Sequence, residues 1–158
     1  MQIWRIGLIS DTHGYLDPAV SDLFQGVDHI IHAGDIGPST LISRLATLAP
    51  VTAVCGNTDS FSEFPENASA KVGPKNILVR HIVSVDSLHR TFPNSSSLET
   101  ADALIFGHTH RKYFQTCQGL LCVNPGYSGR PRKGSDRSVA MLTITSTGEM
   151  KTSFIGLD

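Results

Sequence analysis

Ile3-Trp4-Arg5-Ile6-Gly7-Leu8-Ile9-Ser10-Asp11-Thr12-His13-Gly14 is an apolar, β-rich run that ends abruptly in a carboxylate, an imidazole and a glycine. The same form recurs twice. His29-Ile30-Ile31-His32-Ala33 ends at Gly34-Asp35, and Val51-Thr52-Ala53-Val54-Cys55 ends at Gly56-Asn57-Thr58-Asp59. Helix signals separate the runs. Asp17 reads as an N-cap with Pro18 at the first helical position, Val20, Leu23 and Phe24 on one face, and Gly26 as the stop. A second helix is expected from Ser39 to about Leu48, with Leu41, Leu45 and Leu48 in phase and Pro50 closing it. This βαβαβ order with short connections predicts a largely parallel sheet.

Further along, Phe61 to Gly73 has no clear period and is expected to cross to another sheet. Ile77-Leu78-Val79 reads as a strand running into Arg80-His81. Phe92-Pro93-Asn94-Ser95-Ser96-Ser97 reads as a loop with a short helix on either side. Ala103-Leu104-Ile105-Phe106 is a buried strand ending at Gly107-His108-Thr109-His110. Tyr113 to Cys117 with Leu120 to Asn124, and Val139 to Thr145 with Met150 to Ile155, read as hairpins. The economical reading is one α+β domain over residues 1–158, built on two packed sheets.

Composition limits what such a domain does. Thirteen Lys and Arg against fourteen Asp and Glu give a net charge of −1, which supplies no basic stripe for a polyanion; nucleic acid is not indicated as a partner. No apolar run approaches the roughly 18 residues of a membrane span. Met1-Gln2-Ile3-Trp4-Arg5-Ile6 lacks the regions of a signal peptide, and Cys55, Cys117 and Cys122 lack metal-binding spacing. The expectation is a cytoplasmic protein with no membrane partner. A homo-oligomer is left open.

The chemistry-bearing residues share one position. Asp11 and His13, Asp35, Asn57 and Asp59, His81, and His108 and His110 each follow an apolar run. Ligands of open α/β sheets bind outside the carboxyl ends of the strands, so these loops can converge on one edge. Taken singly, Asp-x-His, Gly-Asp and Gly-Asn-Thr-Asp are ordinary turn sequences. Taken together, their burial at one edge would leave polar groups uncompensated, a cost that a metal centre removes. Carboxylate, amide and imidazole donors without thiolate suit Mn²⁺, Fe²⁺, Co²⁺, Ni²⁺ or Zn²⁺ over Ca²⁺.

The order Asp11-Thr12-His13, Gly34-Asp35, Gly56-Asn57, His81 and Gly107-His108-Thr109-His110 resembles the calcineurin-like metallophosphoesterase superfamily. Asn124-Pro125-Gly126 and the Gly-Asn-x-Asp form at Gly56 to Asp59 resemble its small bacterial phosphodiesterase branch. The resemblance implies a four-layer αββα sandwich with two mixed β-sheets between helices. It implies a phosphodiesterase holding two divalent transition-metal ions, Mn²⁺ foremost, whose bridging hydroxide attacks a small phosphate ester. One ion would be held by Asp11, His13, Asp35 and His110, the other by Asp35, Asn57, His81 and His108, with Asp35 bridging. Asn57, His108 and Asp59 are the expected catalytic residues. Asp59 stands where larger relatives carry histidine, and is expected to orient water or substrate.

Two departures bear on the site: Ile82 follows His81 where the family usually has glycine, and Tyr127 follows Asn124-Pro125-Gly126 where serine is usual. His32 is a candidate support for the ligands, while His29 is expected at the surface. Arg111, Arg130, Arg132 and Lys133 read either as contacts for substrate phosphate or as a solvated hairpin face. The rival reading is a binding scaffold of the same fold, as in the vacuolar sorting subunit that this branch also resembles. The intact donor set favours an enzyme.

Overall fold

The computed structural model describes residues 1–60, 63–92 and 96–158. The three opening runs become parallel strands β1 (Ile3–Ile9), β2 (His29–His32) and β3 (Val51–Ala53), with Ile6 beside His29 and Ile30 beside Val51. Helix α1 (Ala19–Leu23) connects β1 to β2, and α2 (Thr40–Ala46) connects β2 to β3. Asp17 Oδ1 accepts from Ala19 N at 2.9 Å, which anchors the first turn as the sequence predicts. Helix α2 stops short of Leu48 because Thr47 Oγ1 turns back onto the Arg44 carbonyl and Pro50 follows.

The remaining strands and two short helices follow in chain order: β4 (Asn67–Val72), β5 (Lys75–Arg80), α3 (Leu88–Thr91), α4 (Ser96–Thr100), β6 (Ala103–Ile105), β7 (Tyr113–Cys117), β8 (Leu120–Asn124), β9 (Ser138–Thr145) and β10 (Met150–Gly156). Both hairpins appear where expected. Helix α3 ends just before the predicted loop, but α4 takes in its last residues, Ser96 and Ser97; Pro93 to Ser95 lie outside the described residues, as do Phe61 and Ser62. The expected crossing after β3 is correct, but it ends in a strand the sequence reading missed. In β4, Ala68, Ala70 and Val72 alternate inward against exposed Asn67, Ser69 and Lys71. Small residues on an edge strand carry too little hydrophobic contrast to announce the alternation.

The first sheet has the order β10-β9-β1-β2-β3 and the second β4-β5-β6-β8-β7. Each joins three parallel strands to antiparallel ones, so both are mixed. Ile6, Leu8, Ile31, Ile77, Val79, Ile105, Val123 and Leu142 fill the space between the sheets. Val20, Phe24, Leu41 and Leu45 bring α1 and α2 onto the outer face of the first sheet. Leu88 and Leu98 bring α3 and α4 onto Leu78, Leu104 and Cys122 of the second. The layers are therefore αββα. Among the described residues no helix is long and apolar enough to cross a membrane.

This topology positions the site. The parallel strands β1, β2 and β3 of one sheet, and β5 and β6 of the other, all release their carboxyl ends at the same rim. Across it runs Arg137, 2% exposed, donating to Asp17 Oδ2 at 2.6 Å, Asp158 Oδ1 at 2.9 Å and the Gly129 carbonyl at 2.7 Å. It ties the β1–α1 loop to the last residues of the chain.

Candidate metal centre

Leaving the strands, the backbone turns hard. Six non-glycine residues among those described have positive φ, and five are Asp11 (57°), His13 (46°), Asp35 (54°), His108 (74°) and His110 (60°). Such conformations cost side chains energy and persist where surrounding structure enforces them, commonly at functional sites. Close approach of the loops is the enforcing condition. A Cβ on Gly56 would collide with Asp35 N and Oδ1, and one on Gly107 with Ser10 Oγ and Asp11 Oδ2. Only hydrogen fits at either place.

Asp11 is wholly buried. Its Oδ2 accepts from Ser10 Oγ at 2.7 Å and from His108 N at 3.1 Å. Its Oδ1 has no hydrogen-bond partner. That oxygen lies 3.3 Å from His110 Nε2 and 3.9 Å from both His13 Nε2 and His81 Nε2. Burial raises the Asp11 pKa above its ordinary value, outweighing the hydrogen bonds and imidazoles around it.

Asp35 is held the other way. Thr58 N and Oγ1 both donate to Oδ1, at 3.0 and 2.8 Å. Oδ2 is left facing His81 Nε2 at 3.2 Å and His13 Nε2 at 3.8 Å. Burial would raise its pKa, but His81 and Thr58 prevail and hold the carboxyl well below the usual range. His81 is raised in return: burial lowers it, and the bond to Asp35 and the charge of Asp11 more than reverse this.

Asn57 Oδ1 completes the second group, 3.1 Å from both His81 Nε2 and His108 Nδ1. His81 gives its Nδ1 proton to the Ala33 carbonyl at 2.7 Å, which fixes the tautomer and leaves Nε2 inward. Ligand-type atoms of Asp11, His13 and His110 lie within 4.8 Å of one another, as do those of Asp35, His81 and His108. Asp35 Oδ2 faces both groups. Acceptor atoms aimed at one another, one of them orphaned in the interior, are the arrangement that cations resolve, so these residues fit a metal pair.

The structure brings together every residue expected as a ligand: Asp11, His13, Asp35, Asn57, His81, His108 and His110. Ile82 does not displace His81; its own side chain points outward, 47% exposed. Asp59 is the correction. Its carboxylate accepts from Ile36 N at 3.0 and 2.9 Å, Gly37 N at 3.1 Å and Gly56 N at 2.9 Å. Both oxygens are spent fastening the Asp35 loop to the Asn57 loop, so Asp59 is a brace and offers the cluster no free atom. His32 supports the site as anticipated. Gly34 N donates to Nδ1, so Nε2–H donates to Thr12 Oγ1 at 2.9 Å, and Thr12 in turn donates to the Ile36 carbonyl. Burial pushes its pKa down to about 3, which keeps it neutral. His29 is half-buried, bonded to Thr52 Oγ1.

Further residues support the cluster, and of these Ser10 and Thr58 escape a reading of the sequence. Ser10 and Thr58 aim the two carboxylates, and each stands directly beside a ligand loop, the one available signal. Asn124 Nδ2 donates to the Gly107 carbonyl and to Thr109 Oγ1 at 3.0 and 3.1 Å, which holds the His108 turn. Tyr127 is buried and stacks on the His110 ring, centroids 4.8 Å apart at 29°. Arg132 lies over Tyr127 at 4.2 Å, with Nη2 2.9 Å from His110 Nδ1.

Residues 4–147 match the sequence profile of the calcineurin-like phosphoesterase superfamily domain. A probable metallophosphoesterase of Methanocaldococcus jannaschii (MJ0623) is 35% identical, over 92% of this chain and 79% of its own. A phosphodiesterase of the same organism (MJ0936) is 30% identical, over 77% of this chain and 82% of its own. Two solved structures share the fold. Vps29 of Entamoeba histolytica, solved with Zn²⁺, superposes with a TM-score of 0.75 at 21% identity, covering 98% of this chain and 99% of that one. An archaeal phosphodiesterase superposes with a TM-score of 0.73 at 23% identity, covering 96% and 99%.

Proposed function

Because the chain belongs to the calcineurin-like phosphoesterase superfamily, we propose that it hydrolyses small phosphodiesters with two divalent transition-metal ions, Mn²⁺ foremost. The observation that supports this best is the buried Asp11 Oδ1, without a partner among three imidazole nitrogens. Asp11, His13, Asp35 and His110 would hold one ion; Asp35, Asn57, His81 and His108 the other. When bound, such ions supply an activated water and positive charge at the reacting phosphorus.

The chain's own residues determine how ready that site is. Ser10 and the His108 N–H occupy one oxygen of Asp11 and so present the other. Thr58 does the same for Asp35. The Ala33 carbonyl takes the proton of His81 Nδ1, which leaves Nε2 to ligate. Asp59 and His32 hold the loops at fixed separation, so ligands need not reorganise. The balanced reaction adds water: its oxygen bonds phosphorus, one ester P–O bond breaks, and the alcohol departs with a proton. The reading takes residues 1–158 as one catalytic domain acting on small esters in the cytoplasm, with no membrane partner, nucleic acid not indicated, and a homo-oligomer left open. A scaffold of the same fold has no need of these seven donors or of strained backbone at five of them.

The test is chelator-stripped protein assayed on bis(p-nitrophenyl) phosphate and on p-nitrophenyl phosphate. Activity should vanish in chelator, return with Mn²⁺, and favour the diester. Undiminished activity in chelator overturns the metal reading, and a preference for the monoester overturns the diester reading.

A further inference from the structure

Beside the His110 edge of the centre lies a concavity of about 330 Å³, with Arg111, Arg132 and Lys133 on its wall and one carboxylate, Asp136. These cations differ from their neighbours. Lys112 is paired with Asp136 at 3.1 Å, and Arg137 with Asp17 and Asp158. Arg111, Arg132 and Lys133 have no carboxylate within ion-pair distance among the described residues. In a chain of net charge −1, three unpaired cations around one hollow, whose single carboxylate Asp136 is already paired with Lys112, are a local excess, and they attract an anion.

Arg132 is the organised member. Stacked over Tyr127 at 4.2 Å, its guanidinium turns its N–H edges away from the ring, and Nη2 reaches His110 Nδ1. Nδ1 is the other ring nitrogen from Nε2, the one that faces Asp11 Oδ1. Arg132 therefore meets the imidazole at the nitrogen that does not face Asp11, on the wall of the hollow. It stands outside the set of ligand atoms and on the wall of the hollow, where an anionic group next to the cluster would lie. Were His110 to hold a metal through Nε2, the neutral imidazole would carry its hydrogen on Nδ1. Two donors would then meet, and the guanidinium edge would be free for an anion in the hollow.

We propose that Arg132, aligned by Tyr127 and assisted by Arg111 and Lys133, is a specificity-determining residue that binds a second phosphate on the substrate. The substrate class is an organic phosphodiester whose retained alcohol also carries a phosphate monoester. This rests on the phosphodiesterase reading above. Two divalent ions against the carboxylates of Asp11 and Asp35 already accommodate the single charge of a simple diester. The cations on the hollow answer a charge that a simple diester lacks. Guanidinium and phosphate match in a bidentate, charge-assisted pair.

Calorimetric titration of the Mn²⁺-loaded protein with thymidine 3′,5′-bisphosphate and with thymidine 5′-phosphate tests it. The two differ only in the second phosphate. The protein should prefer the bisphosphate by about 10-fold to 100-fold. Arg132→Met, at an exposed position, should reduce the preference to about 3-fold or less, and Arg132→Lys should keep part of it. Equal affinity of the unaltered protein for both nucleotides overturns the proposal. So does an Arg132→Met variant that binds both more weakly but with the preference intact, since Arg132 would then merely orient His110. The p-nitrophenyl ester of thymidine 5′-phosphate separates the two readings. If the protein leaves it intact, the phosphodiesterase reading fails, whereas the nucleotide preference is decided by binding alone.

Discussion

Asp11→Asn should make the metal-free protein more stable and the metal-loaded protein less stable. The carboxamide oxygen of the variant can keep the hydrogen bonds that Asp11 Oδ2 takes from Ser10 Oγ and His108 N. The substitution removes a buried negative charge whose other oxygen has no partner. An unsatisfied buried charged acceptor costs on the order of 2 kcal/mol. At about 2–4 °C per kcal/mol for a chain of this size, the stripped variant should melt about 4–8 °C above the stripped parent. Saturating Mn²⁺ reverses the order. A site filled at a hundred times its dissociation constant contributes about 2.7 kcal/mol to the parent, and the variant forfeits most of that at the site Asp11 serves. The pH dependence has a definite sign. The folded pKa of Asp11 lies above its unfolded value, so folded protein holds the proton more tightly. The destabilisation is full above the folded pKa and is relieved as pH falls toward the unfolded value near 3.9. Calorimetric melting with chelator and with Mn²⁺, at mildly alkaline and at acidic pH, reads all of this. A stripped variant that melts below the stripped parent at alkaline pH refutes the reasoning, because Oδ1 would then have been compensated.

His81→Ala should leave one ion bound where the parent binds two, read by elemental analysis after gel filtration; two retained ions would remove His81 from the ligand set. Asp59→Asn deprives the backbone N–H groups of Ile36, Gly37 and Gly56 of one acceptor. It should therefore slow nitrophenyl and alkyl esters by the same factor, and a loss confined to poor leaving groups would make Asp59 a proton donor. Arg137→Met strands Asp17 and should cost about 3–5 kcal/mol in urea denaturation at neutral pH. Burial raises the Asp17 pKa, but Arg137 prevails and lowers it, so this stability is present above about pH 3.9 and is lost as pH falls through the folded pKa. An equal deficit in acid and at neutrality would contradict that assignment.

Asp59 and β4 show where reading residues in order stops working. Nothing in Gly56-Asn57-Thr58-Asp59 distinguishes a carboxylate aimed at a ligand from one aimed at backbone. The difference lies in Ile36 and Gly37, whose N–H groups arrive from another loop. Strand β4 keeps its two-residue alternation, but alanine and serine offer almost no contrast between inside and outside. Tyr127 is legible as an oddity after Pro125-Gly126, and becomes a platform only when the chain beyond β8 carries it beneath His110.

The parallel order of the opening strands, both hairpins and the seven donors at strand ends can all be read along the chain. Periodicity, turn chemistry and residue type are local, and each element shows them without its neighbours. Direction and partnership came only with packing. Packing joined the last hairpin to β1 through the pairing of β9, gave Asp11 one satisfied oxygen and one bare, and turned Asp35 Oδ2 toward histidines from two different sheets. It also left Arg132 without a carboxylate beside the centre while Arg137 was buried between two of them. Orientation depends on which distant backbone groups have already claimed each lone pair, and a single chain read in order does not contain that information.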